Sequence, residues 1–402
     1  MSLGAAPAAT APSGERATGL RWSLLYGNFV IGCGIMVVAG SLNDLTRSLQ
    51  VSVAVGGQLI AIAAAVTCFG APLLAAAVGR ADRRTVLLWA LAWYGLGHAA
   101  CAISPNYTVL AILRGVCVLG AAVFTPQAAA AIGAMTPPGQ RGRAITFIFL
   151  GWSVASVIGM PVHSYIGETF GWRYAFGLVA LLAAAAVPWL ARVMPADVRP
   201  PALSFADWRE ALTRPALVAI VAVTALQSAG QFTVFSYFAP YYRQVLGASA
   251  GSVSGLFFWF GAFGLLGNVL LTRHIDRIGA PFAVALQLVL ISVSLLAWPL
   301  AEGVGGMMVV LVPWAMGCFA ANSAQQARLG LAAPALASAL MALNTSAMYL
   351  GQAAGAAGGG WLIARHGYAP LHWVGLAWML VALALSVWAA GRMARDAVER
   401  GA

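Results

Sequence analysis

The chain has 402 residues, of which 61% are hydrophobic and only 8% are charged. Soluble domains carry about 25% charged residues, so this composition excludes an ordinary soluble protein and predicts a polytopic membrane protein. The net charge of +11 comes from arginines scattered between apolar runs, because the sequence contains no lysine. That distribution does not fit a surface that binds nucleic acid.

The predicted elements begin after a tail at 1–22 that is rich in Ala, Pro and Ser and is expected to be disordered and cytoplasmic. Twelve apolar runs follow, each near the roughly 20 residues that a helix needs to cross a bilayer. They do not alternate polar and apolar residues as barrel strands do. The predicted fold class is all-α, with transmembrane helices at 23–43, 53–78, 86–104, 107–134, 144–167, 174–194, 216–243, 252–272, 281–301, 305–327, 338–363 and 371–391.

The longest internal polar run, at 192–214, divides these helices six and six. A charge at the centre of a membrane helix costs about 2.5–3.5 kcal/mol, so this run lies in water. Its segment at 204–212 is either an amphipathic helix on the membrane surface or part of a plain tether. The predicted organisation is a six-helix bundle at 23–194, a cytoplasmic linker at 195–214, a second bundle at 215–391 and a cytoplasmic tail at 392–402.

The arginines also predict the orientation. If both termini are cytoplasmic, only Arg47, Arg173, Arg243 and Arg365 fall in outer segments, and nearly all the others fall in inner ones. This strong positive-inside bias predicts a multi-pass protein of the inner membrane. One arginine, Arg114, is left inside the fourth helix.

Two short motifs recur half a chain apart. GRADRR at 79–84 follows the second helix, and HIDRIG at 274–279 follows the eighth. A duplicated six-helix unit places a substrate site between the halves, near the middle of the membrane. The sequence therefore predicts two halves related by pseudo-two-fold symmetry.

Four stretches carry a family resemblance: the loop AAAVGRADRR, the lone Arg114 in ILRGVCVLG, the fifth helix GWSVASVIGMPVHSYIG and the eleventh helix NTSAMYLGQAAGAAGGG. In this order they resemble the major facilitator superfamily, within it the twelve-span drug/proton antiporters and their arabinose-efflux-permease-like relatives. The resemblance implies secondary transport, with no cofactor, no metal and no enzymatic activity. Gly79 stands where the family has an aspartate, and the sequence leaves open whether Asp82 replaces it.

The loop motifs are predicted to act as a conformational latch between the halves, because a contact made in one state only biases a two-state equilibrium. The alternative is simple positive-inside anchoring. The residues concerned are Arg80, Asp82, Arg83, Arg84, Asp276, Arg277 and Gly279. In the fifth helix, the antiporter-type motif lets helices approach closely, either to slide or to pack statically, through Gly151, Gly159, Pro161 and Gly167.

Polar residues inside apolar helices predict a wet, uncharged cavity, although each one alone could simply bond a neighbouring helix. The candidates that would contact substrate are Asn28, Thr125, Gln127, Gln227, Gln231, Trp314, Asn322, Asn344, Tyr349 and Gln352. The predicted substrate is neutral or weakly anionic, such as a phenicol-like drug, a sugar or a nucleoside, because no carboxylate lies deep in a helix to offset a cation.

Proton coupling needs a group that changes charge during transport. The resemblance implies that Arg114 belongs to the proton pathway, and the hypothesis is that it exchanges Asp44 or His163 as partners while the halves rock. Histidine titrates near neutral pH, but a neighbouring arginine works against its protonation. The alternative is that Asp44 caps its helix and His163 bonds a neighbour. The other histidines fit no metal spacing, and those in loops are expected to be solvated.

The sequence thus predicts a monomeric, proton-driven exporter whose partners are a small molecule, protons and the lipid bilayer. Uptake or facilitated diffusion by the same fold is the alternative. An enzyme would need a nucleophile and base or a metal cluster at membrane depth, and a scaffold or sensor would need a soluble effector domain. Neither is visible, and no Walker-type loop for ATP is present.

Overall fold

The structure is a computed structural model that describes residues 15–137, 140–199, 205–333 and 336–401. The described residues form α-helices joined by short turns, and no strand occurs among them. The helices are α1 (Glu15–Ser48), α2 (Val53–Ala77), α3 (Arg83–Ala102), α4 (Tyr107–Cys117), α5 (Leu119–Met135), α6 (Arg141–Val154), α7 (Met160–Thr169), α8 (Trp172–Val193), α9 (Phe205–Thr213), α10 (Pro215–Phe235), α11 (Phe238–Gln244), α12 (Ala250–Ile278), α13 (Ala280–Ala297), α14 (Gly303–Ala332), α15 (Ala337–His366) and α16 (Leu371–Gly401).

Within the described residues, eleven helical segments are long and apolar enough to cross a membrane. Three of them are broken helices: α4 continues as α5, α6 as α7 and α10 as α11. The remaining long helix, α15, has 30 residues and lies where the eleventh helix is predicted. Its many glycines and amide side chains make it less hydrophobic than the others, and with it the chain has twelve crossings in two sets of six.

The break between α6 and α7 lies in the antiporter-type motif. A π-helical turn, Ala155–Gly159, separates the two helices, and Pro161 follows at the start of α7. Proline has no backbone N–H and clashes with the preceding turn, so it interrupts the regular hydrogen-bond ladder. The fifth helix is therefore interrupted by a π-helical turn just before Pro161.

The two halves use matching glycine contacts. A Cβ atom on Gly151 of α6 would overlap Leu25 O of α1, and one on Gly351 of α15 would overlap Ala225 O of α10. Each glycine thus lets the fifth helix of its half lie directly on the first helix of that half. This repeated packing is a physical expression of the pseudo-two-fold relation between the halves.

The linker divides its contacts between the two halves. Met194 and Val198 are buried against the first half, whereas Ala211 of α9 packs with Leu217 and Leu336 of the second half. The predicted amphipathic segment is helical over Phe205–Thr213. Residues 200–204 between these two parts lie outside the described residues.

Three hydrogen bonds or ion pairs join the halves in the described part of the chain. They are Asn43 Nδ2 to Ala239 O at 3.1 Å, Ser254 Oγ to Pro161 O at 2.9 Å, and the ion pair of Arg243 with Glu168 at 3.8 Å. All three lie toward the end of the bundle where α1 ends and α2 begins, which we call the far end. The opposite end, which holds Glu15 and Gly401, we call the termini end.

Candidate functional site

Polar side chains of the first half meet between α1 and α5. Asn28 is fully buried, and its Oδ1 accepts a 2.9 Å hydrogen bond from Thr125 Oγ1. Its Nδ2 donates to Leu24 O on its own helix at 3.3 Å. Both residues are predicted cavity candidates, and in this conformation they bond each other.

The second half has a larger network at the corresponding place. Thr224 Oγ1 donates to Asn344 Oδ1 at 2.6 Å, and Asn344 Nδ2 donates to Asn322 Oδ1 at 3.2 Å. Gln325 Nε2 completes the network by donating to Thr224 Oγ1 at 3.0 Å. The network links α10, α14 and α15, and Gln325 Oε1 is its buried atom without a hydrogen-bond partner. Thr224 and Gln325 are absent from the predicted cavity residues.

Four predicted cavity amides behave differently, because they make no side-chain hydrogen bond within the described part of the chain. Gln127, Gln227 and Gln352 are 5–6% exposed, and Gln231 is partly buried. Burying an unpaired amide costs free energy, so groups of this kind are suited to bind water or a polar ligand. Tyr349, which lies against Ala64 and Cys68 of α2, is buried at the junction of the halves.

Trp314 lies away from these amides. It is completely buried among aromatic rings of the second half, with centroid distances of 5.2 Å to Phe238, 5.8 Å to Trp298 and 6.4 Å to Phe260. Its backbone N–H donates to Ser294 Oγ at 2.8 Å. The structure therefore gives Trp314 a packing position, although the sequence suggests a place on the cavity wall.

Arg114 is a buried charge inside a membrane-spanning segment of the first half. Only 1% of the residue is exposed, and its Nη2 donates to Ile35 O of α1 at 3.2 Å. Its Nη1 lies 3.3 Å from Nε2 of His98 on α3, and its Nε has no partner. Arg114 therefore has no carboxylate counter-ion among the described residues, which is unusual for a buried guanidinium.

The two predicted exchange partners of Arg114 lie elsewhere in this conformation. Asp44 Oδ2 accepts a 2.8 Å hydrogen bond from the backbone N–H of Trp172, at the first turn of α8, and Oδ1 pairs with Arg47. Asp44 thus caps a helix, but the cap is on α8 and not on its own helix. His163 packs against Gly40 of α1, fully buried, and neither ring nitrogen has a hydrogen-bond partner.

The loop motif of the first half holds its own half together. Asp82 caps α3 by accepting from the N–H groups of Arg84 and Thr85, and it also accepts from Val198 N of the linker at 3.1 Å. The buried guanidinium of Arg83 donates to three loop carbonyls, and Arg84 donates to Ala191 O at the end of α8. Arg80 is exposed. None of these bonds reaches the second half in the described part.

The loop motif of the second half shows one clear structural role. Gly279 has φ +79° and its N–H donates to Ile275 O, so it ends α12 in a backbone conformation that favours glycine. Arg277 is exposed, whereas the side chain of Asp276 lies outside the described residues. The antiporter-type glycines contact α1: a Cβ on Gly159 would lie 2.6 Å from Cys33 Sγ, and one on Gly167 would lie 2.7 Å from Ser41 Cβ.

A buried carboxylate lies at the far end. The side chain of Glu168 is 3% exposed, accepts a 2.7 Å hydrogen bond from Asn43 Nδ2 and pairs with Arg243 of the second half. It is therefore part of the contact between the halves. Among the described residues, no group of three His, Cys, Asp or Glu side chains could hold a metal ion.

Comparison with known proteins identifies the family. The profile of the Major Facilitator Superfamily matches residues 24–356. The chain belongs to this superfamily. Its members are transporters and not enzymes, which agrees with the helical bundle and the predicted resemblance.

Major facilitator relatives cover almost the whole chain. A protein of Bacillus subtilis called "Uncharacterized MFS-type transporter YbcL" is 26% identical over 90% of this chain and 93% of its own length. "Inner membrane transport protein YdhP" of Escherichia coli is 28% identical over 85% and 88%. The "Probable sugar efflux transporter" of Mannheimia succiniciproducens is 27% identical over 88% and 89%.

Solved major facilitator structures share the fold. An inward-facing, unoccupied bacterial homologue of the human lysosomal transporter Spinster superposes with a TM-score of 0.75 at 18% identity, over 96% of this chain and 99% of that one. A D-xylose-proton symporter superposes with a TM-score of 0.72 at 17% identity, over 92% and 97%. These similarities establish the fold of a multi-pass membrane transporter.

Two residues of the site were given no role by the sequence reasoning. His98 lies inside the predicted helix at 86–104, and an ionisable residue inside an apolar run is itself a signal of function. Glu168 follows the antiporter-type motif at a helix end, where a carboxylate is ordinary. Only the packing of the two halves shows that Glu168 is buried between them.

Proposed function

We propose that this major facilitator is a proton-coupled antiporter that exports a small polar molecule, neutral or weakly anionic, across the inner membrane. The observation that carries the proposal is the set of buried or partly buried amides on α5, α10 and α15 that make no side-chain hydrogen bond within the described residues: Gln127, Gln227, Gln231 and Gln352. Amides can donate and accept, so they suit a ligand rich in hydroxyl or amide groups. The protein acts as a monomer with both termini in the cytoplasm.

The charge of the interior supports an uncharged or weakly acidic substrate. Arg114 is buried in the first half, and the described carboxylate that is most buried, Glu168, is already paired at the far end. A cationic substrate in the centre would find no free carboxylate and would be repelled by Arg114. An acidic group would instead be attracted to that guanidinium.

Alternating access is supported by the one-sided contacts between the halves. The three described hydrogen bonds and ion pairs that join them lie toward the far end, through Asn43, Glu168 and Ser254. This conformation is closed at the far end. Opening it requires these bonds to break while others form at the termini end, where the loop motifs of both halves lie.

The proposed coupling site is centred on Arg114, with Asp44 and His163 as the partners suggested by the sequence. The proposed direction and substrate class draw additional support from the name of the sugar efflux relative, whereas the proposed coupling ion rests on Arg114 and the family resemblance. Uptake or facilitated diffusion by the same fold is the competing function.

The test is a transport and susceptibility panel in a host stripped of its own exporters. Radiolabelled arabinose, chloramphenicol and uridine represent the three classes of polar substrate, and a quaternary ammonium dye represents cations. We expect lower accumulation of at least one neutral compound and no effect on the dye. Higher accumulation would indicate uptake, and efficient export of the dye would contradict the proposed substrate class.

The panel includes a variant for the amides. Gln227→Leu removes the amide at similar volume, and Gln50→Leu, at an exposed position near the far end, is its control. We expect the first to reduce transport and the second to retain it. Equal transport by both variants would contradict a role for these amides in transport.

A further inference from the structure

His98 is buried in the first half and contacts the buried guanidinium of Arg114. It is completely buried, and its ring lies 4.3 Å from the ring of Tyr94 and 5.8 Å from that of Phe176. A Cβ atom on Gly34 of α1 would lie 2.6 Å from His98 Nε2, so a glycine is needed where α1 passes the imidazole. The site is therefore closely fitted around this ring.

The hydrogen-bond partners define the tautomer of His98. Nδ1 lies 2.8 Å from Tyr94 O, and a carbonyl oxygen can only accept, so Nδ1 carries the proton. Nε2 lies 3.3 Å from Nη1 of Arg114, and a guanidinium can only donate, so Nε2 presents a free lone pair. His98 is thus neutral while Arg114 occupies Nε2.

The other groups around His98 leave Arg114 as its decisive neighbour. From α4, the Cys117 sulfur lies 3.1 Å from Nδ1, and from its own helix the Tyr94 ring lies 4.3 Å away. From α7, His163 is close enough to interact electrostatically. Helix α1 contributes the backbone of Gly34, which can accept a hydrogen bond from Nε2. Helix α8 contributes the Phe176 ring. No carboxylate among the described residues faces the imidazole.

Arg114 is itself poorly satisfied in this position. Its Nε has no partner, and its other bonds are to one carbonyl and one neutral ring. A buried guanidinium without a counter-ion is unfavourable, so this arrangement is suited to change when the halves move. Of the two contacts that Arg114 makes, only the loss of the one to His98 frees a basic nitrogen, Nε2 of the imidazole.

We propose that Nε2 of His98 binds the transported proton, and that Arg114 and the proton compete for this one lone pair. In the conformation closed at the far end, the guanidinium occupies Nε2 and the imidazole holds no extra proton. When the halves rock and Arg114 turns away, Nε2 takes a proton from the open side, and the new N–H donates a hydrogen bond to Gly34 O. The return of Arg114 expels that proton. This deepens the proposed antiport and rests on it.

The assignment is tested first without any substrate. Histidine nitrogens are labelled with ¹⁵N, the protein is placed in lipid nanodiscs, and imidazole signals are followed from about pH 8 to pH 5. His98→Gln assigns the signal. We expect His98 to stay neutral with the proton on Nδ1 across this range in the wild type, and to take up a proton in Arg114→Gln.

Two results would overturn the assignment. One is an imidazole that carries its proton on Nε2 in the wild-type protein, and the other is a His98 that stays neutral to about pH 5 in Arg114→Gln. If Arg114→Gln is unfolded, Arg114→Lys replaces it, and partial proton uptake by His98 down to about pH 5 is expected because the ammonium reaches less far.

The second experiment measures transport in proteoliposomes. Its substrate is the compound that the wild-type protein moves in the transport and susceptibility panel. We expect His98→Gln to lose flux driven by a pH gradient and to keep exchange of labelled for unlabelled compound at equal pH. Gradient-driven flux that survives in His98→Gln would refute the role of His98 alone. A wild-type protein without gradient-driven flux would refute proton coupling and, with it, this role.

Discussion

Nε of Arg243 in the second half lies 3.8 Å from Oε2 of Glu168 in the first half, and Asn43 ties the same carboxylate to α1. Because Asn43 also donates to Ala239 O, these residues close the far end. Glu168→Gln keeps the amide contact and removes the charge. We expect the free energy that favours the closed far end to fall by about 1 kcal/mol. This corresponds to an about fivefold shift of the population toward the open far end.

The measurement is the distance between spin labels on Ser48→Cys and Val245→Cys, both exposed near the far end, in a background without the native cysteines. The longer distance should become more populated in Glu168→Gln. Glu302→Gln, an exposed carboxylate, is the control and should leave the distribution unchanged. Identical distributions in both variants would show that the ion pair does not hold the far end.

The glycines of α15 allow a matched comparison of packing. A Cβ on Gly355 would overlap Ala229 O and lie 2.9 Å from Thr233 N, both backbone atoms of α10 that cannot move aside. Nothing lies within 4 Å of a Cβ on Gly358. We expect Gly355→Ala to lower the free energy of unfolding by about 1–3 kcal/mol. Gly358→Ala should leave the stability of the protein unchanged or raise it.

Thermal unfolding in detergent tests this difference. Gly355→Ala should unfold at a temperature lower by several degrees, and Gly358→Ala at or above the wild-type temperature. Equal midpoints would mean that α10 and α15 can separate at little cost, so that the glycines serve sliding more than static packing.

Sequence reasoning predicted the helices because their signals are local. Apolar runs, prolines and glycines set the segments, and each predicted run falls on a helix or on a broken pair such as α4 and α5. The side-chain partners are not local. The sequence made Trp314 and Asn322 candidates for the same cavity, but it could not show that rings of α11 and α12 cover Trp314.

The candidate site shows the same difference between local signals, which the sequence reveals, and contacts between helices, which it does not. Arg114 was singled out because a charge in an apolar run is expensive. Its partner His98 is 16 residues away on another helix, and only the crossing of α3 and α4 brings them together. The exchange of Arg114 with Asp44 or His163 stays a prediction, because it concerns a second conformation.

Asp82 is expected to act through its acceptor oxygens and not through its charge. It caps α3 and holds Val198 of the linker. Asp82→Ala should lower the free energy of unfolding by about 1 kcal/mol and speed hydrogen exchange at Val198. Asp82→Asn keeps one acceptor oxygen, which can still accept from Arg84 N and Val198 N, and should lose less stability. A loss as large in Asp82→Asn would indicate that the negative charge itself forms a latch.

The orientation follows from the arginine asymmetry. Reporter fusions within 195–214 and after Ala402 should both report cytoplasm, and a fusion after Gln50, at the far end, should report the opposite side. A periplasmic signal at either of the first two positions would contradict the proposed topology and reverse the side on which substrate enters.

The central claim is that transport is driven by protons through the buried Arg114. The most direct measurement is flux of the identified substrate into or out of proteoliposomes with an imposed pH gradient. The wild type should move substrate against its concentration gradient while the pH difference lasts, and Arg114→Ala should abolish that movement. Arg173→Ala, which removes a polar contact to Ser104 O near the far end, should retain it. Flux by Arg114→Ala equal to wild type, or wild-type flux indifferent to the pH gradient, would contradict the account.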